Sequence, residues 1–402
     1  MEQKNNRIPE LRFPEFVNDG EWEVNEVGNI FEITRGYVLS MSMVNDYQTN
    51  ENPYPVYSSQ TKNNGLAGFY KNYLYENAIT WTTDGANAGD VNYRNGKFYC
   101  TNVCGVLISK EGFANKCISE IINSVAINYV SYVGNLKLMN GVMSKIKIPV
   151  PKIKEQQKIA DCLTSLDELI TAHSDKLENL KSHKKGLLQN LFPQENQKVP
   201  TYRFPEFPDS YQKIGFSELG NIKIGLTHKP DYIKSGVPFL SSKNISKGYI
   251  DFENIHYISF EKFKSMPEST KPKIGDILFT RVGSNLGNPI VLEENIEFGI
   301  FVSLGAFRVN NKAHNYYIKY WMESDLFWKQ LNQKVAGGAK DNLNSTWLRE
   351  FELDIPSVVE QQKIAECLLA VDQLITAQTE KIEQLKNHKK GLMQGLFPKI
   401  EN

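Results

Sequence analysis

No stretch of this 402-residue chain approaches the ~18 consecutive apolar residues that a membrane span needs, and Met1 to Glu10 is too polar for a secretory signal. A cytoplasmic protein with no membrane association is expected. Cysteine is scarce: five in so long a chain, an odd number, argue against a disulfide framework and for reduced thiols. Net charge is missing too, with 46 basic side chains against 46 acidic ones. Nothing in the overall balance therefore points to nucleic acid, and such a partner must be sought in local features. With 41% hydrophobic and 23% charged residues, disorder and collagen-like structure are excluded. The length allows roughly two to four domains, each able to bury a core.

Catalytic motifs are lacking as well. Asn52-Pro53-Tyr54-Pro55 superficially resembles the Asn/Asp-Pro-Pro-Tyr/Phe motif of amino-group methyltransferases, but its third position is tyrosine, and it reads as a loop. The glycine-rich run Arg281 to Pro289 has neither the Gly-Lys-Ser/Thr ending of a phosphate-cradling loop nor a full dinucleotide fingerprint. No nucleophile elbow occurs. Cys100 and Cys104 have no nearby histidine to complete a zinc set, so core packing is expected and no metal site is assigned. His183 and His388 stand near basic helix ends, where compensation of the helix dipole suffices. No catalytic residue is assigned, and the chain reads as a non-enzyme.

What the sequence does contain is itself, twice. Residues 155–193 align without gaps to residues 360–398 with 26 identities in 39 positions, each copy running from Glu-Gln-Gln-Lys-Ile-Ala to Leu-Phe-Pro. Arg12-Phe13-Pro14-Glu15-Phe16 recurs as Arg203-Phe204-Pro205-Glu206-Phe207, and Gly28-Asn29-Ile30 as Gly220-Asn221-Ile222. Ile146-Lys147-Ile148-Pro149 parallels Leu353-Asp354-Ile355-Pro356. Between these marks, 20–147 and 208–354 show little likeness. A half that repeats and a half that diverges do different work.

The repeated segment reads as a helix. Ile159, Leu163, Leu166, Ile170, Leu177 and Leu180 fall at 3–4 spacing, continuing to Leu187 and Leu191; the second copy gives Ile364, Leu368, Val371, Ile375, Ile382 and Leu385, continuing to Leu392 and Leu396. Both stripes break at the same places, His173 and Lys184 in one, Gln378 and Lys389 in the other. Prolines 149, 151 and 356 precede the helices, and Pro193 and Pro398 close them. Each helix would be about 55 Å long. So narrow a stripe must be buried by a partner, and the economical partner is the other copy, as an antiparallel coiled coil with pseudo-twofold symmetry. His173 and Gln378 either fix its register or are merely tolerated near solvent.

The diverging regions read as α+β. Short strand-like runs (Ala78–Thr82, Gly105–Ile108, Gly275–Arg281, Gly299–Val309) alternate with Asn-Gly and Asp-Gly turns, and 117–133 and 315–335 look helical. The first region holds 10 basic and 11 acidic residues, the second 18 and 17, so docking to DNA would need a folded face. Their loops carry side chains suited to base edges, since Asn and Gln can pair bidentately with adenine and Arg and Lys with guanine. The candidates are Gln60, Lys62, Asn63, Asn64, Thr83 and Asn87 in the first, and Lys243, Asn244, Arg281, Ser284, Asn285 and Lys340 in the second. Plain polar turns have the same composition.

Two dissimilar regions, each opened by an FPEF-type segment and closed by an EQQKIA…LFP helix, resemble the specificity (S) subunit of type I restriction-modification systems. Lys273 to Ser284 and Tyr54 to Gln60 look like runs common in its recognition domains. The resemblance implies an α+β chain of target-recognition domain 1 (1–147), helix 1 (148–193), target-recognition domain 2 (194–354) and helix 2 (355–402). It also implies a DNA-binding, non-catalytic reader of a bipartite target, one half-site per domain, with the coiled coil setting the spacer. Its partners would be double-stranded DNA, two methyltransferase subunits and two restriction subunits. S-adenosylmethionine, ATP and Mg would sit on those partners and no cofactor on this chain, which would direct adenine methylation and ATP-dependent cleavage. The alternative from another class is a protein scaffold, two interaction modules on a coiled-coil spacer.

Overall fold

The computed structural model describes residues 7–398 apart from 60–61, 196, 247, 284–285 and 336–342, with the side chains of 62 and 335 also left aside. The chain forms two compact units, residues up to 174 together with those from 380 onward, and residues 175–379. Each unit thus takes one diverging region, the near half of its own long helix and the far half of the other. The expected linear segments are therefore not the compact pieces.

In the first unit the strands are β1 (Glu23–Glu26), β2 (Glu32–Arg35), β3 (Tyr54–Tyr57), β4 (Leu66–Tyr70), β5 (Tyr75–Thr82), β6 (Val91–Cys100), β7 (Cys104–Ile108) and β8 (Lys147–Val150). Six form one sheet, β2-β7-β5-β6-β3-β4, and β1 pairs separately with β8. The helix Lys116–Ala126 covers one face, its Ile118, Ile121 and Ile122 packing with Ile79, Trp81 and Leu107.

The second unit has β9 (Gln212–Gly215), β10 (Gly220–Ile224), β11 (Val237–Leu240), β12 (His256–Ile258), β13 (Ile277–Thr280), β14 (Gly287–Val291), β15 (Gly299–Ile300), β16 (Leu304–Val309) and β17 (Glu352–Ile355). Its sheets, β10-β16-β13-β14 and β12-β11-β15, reproduce the first unit's order, with β15 taking the place of the far end of β6. Pairing registers agree residue by residue: Trp81 faces Gly105 and Thr82 faces Cys104, as Phe279 faces Gly305 and Thr280 faces Leu304. The glycines are required, since a Cβ on Gly105 would lie 2.2 Å from the Trp81 ring and one on Gly305 2.4 Å from that of Phe279.

Register also corrects the sequence alignment at its edges. Val27 N–H bonds to Ile146 O where Phe216 N–H bonds to Phe351 O, so Gly28 matches Ser217, and the two Gly-Asn-Ile triplets are not equivalent. Ile148 likewise matches Leu353, two residues from the Ile-Pro alignment. The expected helix over 315–335 is two, Asn315–Glu323 and Asp325–Val335, broken at Ser324, and the strand over 299–309 is interrupted at 301–303.

The long helices run Ile153–Leu191 and Val358–Leu396, passing through Gly186 and Gly391 and stopping just before the closing prolines. Within each unit they are antiparallel: Ile159, Leu163 and Leu396 share one core, Leu191, Ile364 and Leu368 the other. All twelve expected seam residues are buried or half-buried, as are Gln378 and His173.

The FPEF segment staples the two helices. Arg12 forms a two-pronged ion pair with buried Glu155 (2.7 and 2.8 Å), and Leu11 N–H bonds to Gly395 O. In the second unit Arg203 holds Glu360 at 2.9 Å with both prongs, and Tyr202 N–H bonds to Asn190 O. The next residue of the repeat, Gln156 or Gln361, is fully buried and its amide donates to Pro151 O or Pro356 O.

Candidate nucleic-acid interface

The polar loops singled out in the sequence come together at one end of each sheet. In the first unit Asn87 Nδ2 donates to Ser59 O at 2.9 Å, tying the loop after β3 to the loop after β5. Thr101 Oγ1 donates to Ser58 Oγ at 2.9 Å and Thr83 N–H bonds to Val103 O, so the 101–103 turn joins them. In the second unit Ser242 N–H donates to Ser303 Oγ, Arg281 N–H bonds to Ser303 O and Leu343 N–H bonds to Arg281 O. The correspondence is positional: Ser58-Ser59 follows β3 as Ser241-Ser242 follows β11, and Thr83 occupies the place of Arg281.

The candidate side chains divide by what holds them. Asn63 and Asn64 are exposed in a turn with φ of 51° at both, a left-handed conformation that asparagine tolerates, and Lys243 is exposed. Asn87 is half-buried with its amide partly engaged. Thr83 is buried with its hydroxyl donating to Val103 O, and Asn244 is buried, accepting from Ser241 N–H and Oγ–H and donating to Asp251 O and Asn254 O. Arg281 is 8% exposed, with Nε donating to Leu343 O and Nη1 to Val302 O, and burial lowers its pKa. These three side chains shape the loops that carry them. Gln60, Ser284, Asn285 and Lys340 lie outside the described residues, as does the side chain of Lys62.

A charge network missed by sequence reasoning joins each region to the helices. Lys389 contacts Asp167 (2.6 Å) and Glu120 (3.4 Å), and Lys116 contacts the same two carboxylates at 3.0 and 2.7 Å. In the second unit Lys184 contacts Asp372 and Glu323, both at 2.7 Å, with Lys319 on the same pair at 2.9 and 2.8 Å. Burial alone would raise the Asp372 pKa, but Lys319 and Lys184 together hold it below the usual carboxylate value. Burial likewise opposes the charge on Lys184, and Glu323 and Asp372 outweigh it, raising its pKa. The lysines that interrupt the apolar stripes therefore have a use: each reaches across to the other repeat's aspartate and to a Lys-x-x-x-Glu on a recognition-region helix. That short motif, 116–120 and 319–323, was present in both regions, hidden by unrelated flanks.

Other sites are sparse. Cys100 and Cys104 are free and buried in one apolar cluster, and burial pushes the Cys104 thiol up to about 11. Among the described residues no group of three or more metal-ligating side chains occurs, and no helix is long and apolar enough to cross a membrane.

Comparison with known proteins agrees with this architecture. Residues 19–182 and 208–387 match the family described as type I restriction modification DNA specificity domain. The specificity subunit of the type I restriction enzyme MjaVIII of Methanocaldococcus jannaschii is 23% identical over 96% of this chain and 93% of its own length. The crystal structure of a type I restriction-modification system S subunit from M. genitalium matches 98% of this chain and all of its own, with a TM-score of 0.68 at 15% identity. A chain from a structural study of complex assembly and conformational transition of the type I restriction-modification system matches 94% of this chain and 97% of its own, with a TM-score of 0.53 at 12% identity. With two matched stretches covering most of its length, each taking in one diverging region and much of one long helix, this chain belongs to the type I restriction-modification DNA specificity family.

Proposed function

We propose that the chain is the non-catalytic, sequence-reading subunit of a type I restriction-modification enzyme and that it reads a two-part DNA target. The observation that carries this is one sheet topology built twice, with unrelated polar loops at the same end, on near-identical helices. Equal frames with unequal loops suit two different half-sites read in the same way. In the first half-site Asn63, Asn64 and Asn87 present amides to base edges, with Gln60 and Lys62 beside them in the chain; in the second, Lys243 presents its ammonium, with Ser284, Asn285 and Lys340 the further candidates along the chain. Thr83, Asn244 and Arg281 hold those loops in shape. Two methyltransferase subunits dock on the helices and two restriction subunits complete the enzyme, carrying S-adenosylmethionine, ATP and Mg between them, in the cytoplasm. The named subject of the second solved structure, assembly of a type I system, supports such partners.

The test is single-molecule methylation sequencing of DNA from cells expressing the chain with the methyltransferase subunit of its system, against cells lacking the chain. A two-part adenine-methylated motif seen only with the chain is the expected result; a stable complex without any new motif would favour a protein scaffold. Removing one heptad from each helix, 174–180 and 379–385, takes out ~10 Å of helix. That should shorten the spacer by about three base pairs and leave both half-sites unchanged.

A further inference from the structure

One layer of the first sheet departs from its counterpart. In the second unit Leu240, Leu278, Leu292 and Leu304 are buried in a wholly apolar cluster with Ile290, Ile300 and Ala306. Strand pairing identifies the equivalent residues of the first unit as Tyr57, Thr80, Arg94 and Cys104. Ile79 pairs with Tyr93 and Ala78 with Arg94, where Ile277 pairs with Val291 and Leu292 N–H bonds to Asp276 O. Thr80 and Leu278 face Val106 and Ala306, and Tyr57 and Leu240 lie beside Cys100 and Ile300. An arginine therefore stands where the sister module has a core leucine.

Arg94 is 8% exposed. Its Nε–H donates to Thr80 Oγ1 at 2.9 Å, and its guanidinium carbon lies 3.7 Å from the centre of the Tyr57 ring. Among the described residues no carboxylate lies within ion-pair distance and no acceptor meets its Nη hydrogens. The fully enclosed polar atoms without partners among those residues are Trp22 Nε1, Thr280 Oγ1 and His314 Nδ1, so the Nη end retains its contact with solvent. Loss of hydration lowers the pKa. A guanidinium withdrawn this far from water with no ion-pair partner among the described residues is unfavourable, and leucine serves in the same place next door.

Its location suggests what offsets that cost. Tyr57, which covers it, leads into Ser58 and Ser59; Thr80, which holds it, leads into Thr83 and the 84–89 loop; and Asn87 joins the two loops. In the second unit the longer segment after β11 lays Ile245, Ile250 and Ile255 over the leucine cluster. The shorter 58–65 loop contributes no such cover among the described residues.

We propose that Arg94 is a specificity-determining residue of the first recognition region, offering its Nη donors between the 58–65 and 84–89 loops to acceptor atoms of bound DNA. The inference rests on the DNA-reading function above. The acceptors are guanine O6 and N7, which match a guanidinium fork, or a phosphodiester oxygen.

The test uses the full chain with its methyltransferase subunit, binding a randomised duplex library read by selection and sequencing, for the wild type, Arg94→Leu and Arg94→Lys, with thermal unfolding alongside. Arg94→Leu copies the sister module and should keep or raise Tm while weakening binding to the selected duplex by roughly five- to a hundred-fold. The second half-site should not change. A guanine contact appears as relaxation of one position of the first half-site, which Arg94→Lys also loosens; a phosphate contact appears as uniform weakening that Arg94→Lys largely restores. An unchanged motif and affinity in Arg94→Leu overturns the proposal, as does a fall in Tm or loss of folding, which would make the guanidinium a structural group. If the wild type itself selects no two-part motif, the DNA-reading function fails and takes this inference with it.

Discussion

The long helices repeat 26 of 39 residues, whereas the sheets beside them repeat strand order and register with few residues in common. The difference follows from what each side chain touches. Helix residues such as Glu155, Gln156, Asp167 and Lys184 bond to groups fixed elsewhere in their unit, so each replacement would strand a partner. Sheet residues need only a compatible size, because the hydrogen bonds of the ladder belong to the backbone: Trp81 and Phe279 lie over Gly105 and Gly305 equally well.

The sharpest way to break this comparison is at the staple. Arg12→Ala or Arg203→Ala should each cost about 3–5 kcal/mol in denaturant unfolding, because a buried carboxylate loses its partner, and adding Glu155→Gln or Glu360→Gln should recover part of the loss. A silent Arg12→Ala beside a severe Arg203→Ala would show that the two frames are alike only in letters. Next in size, Gly105→Ala and Gly305→Ala should each cost about 2–3 kcal/mol by overpacking against a ring. If the sheets are true equivalents, the two penalties will be similar, and Trp81 fluorescence will shift only in the first. Lys389→Met and Lys184→Met should cost about 1–2 kcal/mol each, between an exposed and a fully buried pair.

The smallest effect is expected from pH. Because the folded carboxyl of Asp372 titrates below its ordinary value, it contributes stability that is present above that value and disappears as pH falls through the depressed one. Unfolding of the wild type should therefore steepen in acid below about pH 4, and Asp372→Asn should flatten that part of the profile.

Much of the frame was legible in the sequence. The 3–4 spacing of Ile159, Leu163, Leu166 and Ile170 depends on helix geometry alone, and duplication supplied the partner. The staple was half legible: Arg12 and Glu155 both lie in repeated motifs, but only folding brings residues 143 positions apart into contact. The Gly-Asn-Ile triplets misled because identical letters can sit three residues out of register when the backbone bonds that fix it are invisible. In the polar loops the chain positions were legible, whereas which side chains are held and which are left exposed was not. Polar residues that shape a turn and those that leave it free have the same composition, so Thr83, Asn244 and Arg281 looked like Asn63 and Lys243. Nothing in one sequence marks Arg94 as the occupant of a leucine site.

The division of the helices between units bears on the order of synthesis. The second unit, 175–379, is one unbroken stretch, but the first needs residues from 380 onward, including Lys389 for Asp167 and Gly395 for Leu11. A chain emerging from the ribosome therefore carries an unfinished first unit until its last helix is out, while the second can close earlier. Completion of the first unit thus waits on synthesis of the second long helix, and a chain cut short before residue 380 leaves that unit unsealed.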